Sequence, residues 1–148
     1  MKQIKGAKHL AKTLALLSVL SPMLSQASTL DAQLDCKSNA HDFIAPLQES
    51  HELETVPMRV EPNSINAFKP TRGTHLTAFD FSVYALVGYQ KDDAIFKRGD
   101  GEPISDSAYG AVVIGKEEAV RERVRATGSD AIVHHVAPFI TAIFCNPN

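Results

Sequence analysis

The chain has 148 residues, with 15 Lys and Arg against 17 Asp and Glu, two Cys and no Trp. That length excludes a multidomain enzyme, and 22% charged beside 44% apolar residues excludes wholesale disorder. The formal charge of −2 is uneven: residues 1–27 hold four Lys and no acid, and the remainder carries 11 basic and 17 acidic residues, a net −6.

Residues 1–27 have the three-part plan of a cleaved secretory signal peptide. A basic stretch ends at Lys12, an apolar run spans Thr13 to Leu24, and Ser25-Gln26-Ala27 places small residues at the −3 and −1 positions of a cleavage after Ala27. The alternative is a membrane anchor, but the run reaches only about 18 Å as a helix, short of a hydrocarbon core of about 30 Å. Cleavage leaves residues 28–148 as one exported domain without a stable membrane anchor. Its expected location is the periplasm or the exterior of a bacterial cell.

Residues 28–55 read as a polar N-terminal arm with weak structural signals. Ser28 and Asp31 resemble a loose capping box, Leu30 and Leu34 suit one short helix, and a further helical turn after Asn39 is limited by Pro46. Val56 to Pro62 is extended and bounded by prolines, which suits a sheet edge, and a short strand is expected around Ile65–Phe68. From His75 to Tyr89, Phe79, Phe81, Val83, Ala85, Val87 and Tyr89 alternate along one strand, with Ala94–Lys97 returning as its hairpin partner. Tyr109–Ile114 reads as another strand. Lys116–Ala126 is the principal helix, with Glu117 and Glu118 in its first turn, Arg121, Arg123 and Arg125 toward its end, a buried Val120/Val124 stripe and Gly128 just beyond. Ala131–Ala137 and Phe139–Cys145 are β-rich runs, and Pro138 between them marks a bend or bulge. The expected fold is α+β: a curved, mainly antiparallel sheet of four to five strands with one principal helix on one face.

Cys36 and Cys145 lie near the two ends of the exported portion. In an oxidising compartment an even pair predicts one disulfide, fastening the arm to the last strand. With no CxxC and no Cys–His spacing, a thiolate metal site is not expected.

The chemistry-bearing residues do not assemble into a catalytic motif. His134 and His135 are adjacent, so on a strand they face opposite ways, one exposed and one half-buried, and do not share a metal. His41-Asp42 and His51-Glu52 add scattered ligand types only. His75 and Asp80, on one continuous strand, stand about 16 Å apart on opposite faces. Asp80 then faces water or pairs with a base such as Arg59. No GxSxG, P-loop, HExxH or GxGxxG is present. Asp92, Asp93, Asp100, Glu102 and Asp106 lack calcium-loop spacing and read as a solvated acidic face. Arg98-Gly99-Asp100 is a common tripeptide and carries little weight as an adhesion signal. The acidic balance after residue 27 disfavours nucleic acid and anionic membranes as partners.

Two polar loops, Asn63–Phe68 and Ile104–Tyr109, each carry one aromatic residue. Phe68 and Tyr109 are therefore binding candidates, with His75 and His135 beside them, and the competing reading makes both aromatics core anchors of their loops. The pattern points to an exported, disulfide-stapled, non-catalytic binding module without cofactor or metal. Its partner is another protein or a component of the cell envelope, as for an inhibitor or accessory factor. The alternatives are a small hydrolase using His75 or His135 with a distant carboxylate, and a divalent-metal carrier using the histidines.

Overall fold

A computed structural model describes residues 28–146, and the expected signal peptide at 1–27 lies outside the described residues. Ten elements follow in chain order: β1 (Ser28–Thr29), α1 (Ala40–Glu49), β2 (Arg59–Val60), β3 (Asn66–Phe68), β4 (Leu76–Ala78), β5 (Phe81–Gln90), β6 (Ser107–Ile114), α2 (Glu117–Ala126), β7 (Ile132–Ala137) and β8 (Ile140–Cys145). The fold is α+β. Its sheet has eight strands rather than four or five, and two helices rather than one principal helix pack against it among the described residues.

The strand order is β1-β4-β5-β6-β8-β7, with β3 also paired to β5 and β2 to β3. The sheet is mixed: β1 runs parallel to β4, and every other pairing is antiparallel. The register lines up Leu86, Ala111 and Ile143 across β5, β6 and β8, and all three are fully buried. α1 packs on β5 and β6, and α2 on β7 and β8. One core holds Phe43 and Ile44 of α1, Val120 and Val124 of α2, and the inner sheet residues. The opposite end of the alternation leaves Ile114 and Ile132 exposed.

The helix over residues 116–126 matches α2 almost to the residue, and Gly128 follows it with φ +73°, a left-handed conformation that suits glycine. α1 is a full ten-residue helix despite Pro46. Asn39 caps it reciprocally, accepting from the Asp42 N–H at 2.9 Å and donating to the Asp42 carboxylate at 2.8 Å. Pro46 and Asp42 are both exposed, so the helix bond that proline omits falls on the solvent side of α1.

The N-terminal segment is part of the core. Leu30, Leu34, Phe43, Ile44 and Leu53 are each at most 2% exposed. The expected helix at Leu30–Leu34 is a single turn, and Ser28 belongs to β1 instead of a helix cap. The Cys36–Cys145 disulfide is present, with its Cα atoms 5.0 Å apart, and joins this segment to the end of β8.

The long strand expected from His75 to Tyr89 is a hairpin. Phe79 and Asp80 both take positive φ, +50° and +70°, as in a type I′ turn, and Ala78 pairs with Phe81 across it. Left-handed backbone costs roughly 1–2 kcal/mol at a non-glycine residue. Burying Phe79, which is 2% exposed, returns roughly 2–3 kcal/mol. The Phe79 N–H also donates to Asp31. Alternation breaks again at a bulge between Val83 and Ala85. The returning strand expected at Ala94–Lys97 does not form, because β5 pairs with β6 and Phe96 serves as a buried anchor of a loop. Pro138 and Phe139 form the two-residue turn between β7 and β8, with Phe139 at φ +60° and a register shift between His135 and Ala137.

Candidate functional site

Sixteen residues, Lys91 to Asp106, connect β5 to β6 without regular secondary structure. Irregular loops of this length are uncommon in compact domains and are usually either functional or linker segments. This one is fixed at several points. The Asn66 carboxamide is fully buried; its Nδ2 donates to the carbonyls of Lys97 at 2.7 Å and Ser64 at 2.8 Å, and its Oδ1 accepts the Lys97 N–H at 2.9 Å. Ser64, also fully buried and at φ +71°, accepts the Gly99 N–H on its hydroxyl. Further along, the N–H groups of Gly101 and Ile104 donate to the carbonyls of Pro62 and Asn63.

Gly99 must be glycine for steric reasons. A Cβ there would stand 2.2 Å from the Glu61 carbonyl oxygen. Phe96 inserts beneath the loop and packs edge-on against Phe68 and Tyr89. At the loop's start Asp93 accepts the Ile95 N–H on one carboxylate oxygen and pairs with His41 Nδ1 through the other at 2.6 Å. The two segments 63–68 and 104–109 are thus parts of one platform, bonded to each other through Asn63 and Ile104.

The outer surface of the platform is mixed in charge. Lys91, Arg98, Glu102 and Asp106 border one shallow cleft whose floor includes Tyr89. Ile104 is exposed beside it.

The four binding candidates do not converge. Phe68 and Tyr109 are both fully buried, so they take the core-anchor role and present nothing to a partner. The Tyr109 ring packs on Phe43 at 4.9 Å, and its hydroxyl accepts the Ser38 N–H. Burial pushes the Tyr109 hydroxyl above the usual tyrosine range; the Asp35 charge adds to this and the Ser38 bond opposes it. His75 is exposed just before β4, and His135 is exposed on β7, with β5, β6 and β8 between those strands. His134 is exposed as well, so neither member of the pair is half-buried, because β7 is an edge strand. Asp80 is exposed at the hairpin tip and pairs with Arg123, while Arg59 pairs with Glu61.

Two features escaped the sequence reading. The His41–Asp93 pair links residues 52 apart, and nothing in the local pattern marks it. Asn66, a polar residue between apolar neighbours at the start of β3, was the visible signal for the clamp. Around His41, the Ser107 hydroxyl accepts the Ala40 N–H and donates to Gln90 Oε1, which in turn accepts the His41 N–H. Among the described residues no group of three or more His, Cys, Asp or Glu side chains is placed to hold a metal ion. None of the helices described is long and apolar enough to cross a membrane. Comparison with family models, curated proteins and solved structures gives no match for this chain.

Proposed function

We propose that this chain is an exported binding module that recognises another protein, or a component of the cell envelope, through the platform of residues 91–106. The observation that carries the reading is the buried Asn66 clamp on Lys97. A domain that invests two fully buried polar side chains, Asn66 and Ser64, in holding an irregular loop is holding it in one shape. A rigid loop on a sheet keeps the entropy lost on binding small, which favours recognition of a preformed surface. The exposed Lys91, Arg98, Glu102 and Asp106 supply the charged rim and Ile104 an apolar contact. The disulfide accords with an oxidising compartment, and the signal-like residues 1–27 with export to a bacterial periplasm or beyond.

The test is affinity capture with the tagged protein from its native envelope fraction, beside a variant carrying Arg98→Glu and Glu102→Lys. One stoichiometric partner captured by the wild type and lost by the equally stable variant supports the reading. Equal capture by both sinks the platform as the binding surface.

The hydrolase reading is favoured by one observation, the His41–Asp93 pair, which has the orientation of a base and its orienting acid. His41 is about half exposed and Asp93 mostly buried. The nearby Ser107 hydroxyl is engaged by Ala40 and Gln90, leaving the pair without a bonded nucleophile. Ester hydrolysis abolished by His41→Ala would reverse the order of the two readings.

A further inference from the structure

α2 presents Glu118, Arg121, Glu122 and Arg125 on one stripe, at spacings of i, i+3, i+4 and i+7. Together with Glu117 these side chains border one shallow groove along the helix. α2 lies over β7 and β8, and among the described residues β7 pairs only with β8. Arg121 joins the helix to that edge: it pairs with Glu117 and donates to the Val133 carbonyl at 3.2 Å.

One carbonyl of the β7 edge, that of Val133, is covered by Arg121, which a strand pairing there must displace; the rest of the edge is weakly guarded. Monomeric proteins usually protect an edge strand with charges, prolines or bulges. Residues 131–140 contain no Lys, Arg, Asp or Glu, and the bulge and Pro138 lie only at the far end. Ile132, Val136 and Phe139 are each more than half exposed.

We propose that a second copy of this chain pairs across this edge, β7 antiparallel to β7, with the two α2 helices side by side about a two-fold axis. The charge stripe selects this partner. A two-fold axis reverses the second helix, so a stripe centred between Arg121 and Glu122 sets Glu118 against Arg125 of the second copy and Arg121 against its Glu122. Four opposite-charge contacts result, and a parallel arrangement would set like against like. A foreign strand could satisfy the open backbone but would not supply this mirrored sequence of charges. The spacing is also suitable. With strands about 4.8 Å apart, a helix seated between β7 and β8 would stand about 10 Å from its mate, an ordinary distance for packed helices.

Sedimentation equilibrium of the purified protein tests this. A dimer is expected at micromolar concentration. Glu118→Arg should weaken it at least about tenfold, and the double variant Glu118→Arg, Arg125→Glu should restore it, since the contacts are then exchanged in sign. Both positions are exposed, so the fold is retained in each variant. Ile132→Lys, which charges the edge, should dissociate the dimer independently of the helix stripe. The proposal is overturned by a monomer at about 100 μM, by a dimer indifferent to these substitutions, or by a double variant no better than the single one.

Discussion

The carboxamide of Asn66 and the backbone of Lys97, 31 residues further on, exchange two hydrogen bonds in the manner of a short β-bridge. Asn66→Ala leaves the N–H and carbonyl of Lys97 and the carbonyl of Ser64 without this partner. Each unsatisfied group costs roughly 1–3 kcal/mol where water cannot reach it. A net loss of about 3 kcal/mol is expected in urea unfolding, with faster proteolytic cleavage within 91–106 than elsewhere. Asn66→Asp should be worse, because it sets a carboxylate against two carbonyl oxygens. Cleavage unchanged in Asn66→Ala would show that the loop does not depend on the clamp.

Gly99→Ala probes the same platform from the other side. The added methyl meets the Glu61 carbonyl oxygen, a backbone atom that cannot rotate away. Destabilisation of about 1–3 kcal/mol is expected by denaturant melt. Gly73→Ala is the contrast: its methyl meets nothing within 4 Å, so any cost comes from its φ of +84° alone.

The Phe79–Asp80 turn separates packing from charge. Phe79→Ala removes a buried ring and should cost about 3 kcal/mol. Asp80→Asn keeps a residue that tolerates positive φ and removes the exposed pairing with Arg123, a change worth less than about 1 kcal/mol. Equal effects of the two would refute this division.

Tyr109 makes a prediction on the alkaline side. Its folded-state pKa is raised above the unfolded value, so the folded state favours the protonated hydroxyl. The resulting stability is fully present below the ordinary tyrosine pKa of about 10 and is lost as pH rises through the folded value. Tyr109 should ionise late in an ultraviolet titration, and Tyr109→Phe should remove that late step. A titration in which Tyr109→Phe removes an early step would contradict the assignment.

The disulfide closes a sequence separation of 109. Loop-closure entropy alone suggests about 4–5 kcal/mol, and values of 2–4 kcal/mol are common. Replacing both Cys36 and Cys145 with Ser should lower the unfolding free energy within that span, measured by chemical denaturation under non-reducing conditions. The core formed by both helices and the sheet should still assemble. Two free thiols in the denatured, unreduced protein would remove the premise.

Patterns dominated by one physical effect were legible in the sequence. α2 announced itself through its apolar stripe, its ordered charges and Gly128; the two cysteines announced their bond. Other features result from competing effects. Phe79 continues the apolar alternation because it is buried, yet it sits in a turn that carries neither Gly nor Asn, so the pattern ran through the hairpin. Phe96 looked like a strand residue because anchors and strands use the same side chains. Pro46 suggested a broken helix, but it lies on the solvent side of α1, where an omitted helix bond costs little. Phe68 and Tyr109 stood among polar neighbours, and only tertiary packing distinguishes a loop's anchor from its contact surface. The His41–Asp93 pair depends wholly on where α1 meets the end of β5.

Among the described residues β8 is the last strand in chain order, yet it lies between β6 and β7 and carries Cys145. As the chain emerges from a ribosome, β7 appears with no strand to hold it and Cys36 with no sulfur to meet. Both wait for residues 140–145. Assembly of the sheet therefore depends on residues 140–145: a polypeptide cut short before that stretch keeps both described helices but lacks the strand that joins β6 to β7, and it should be cleaved readily by a protease that attacks exposed strands.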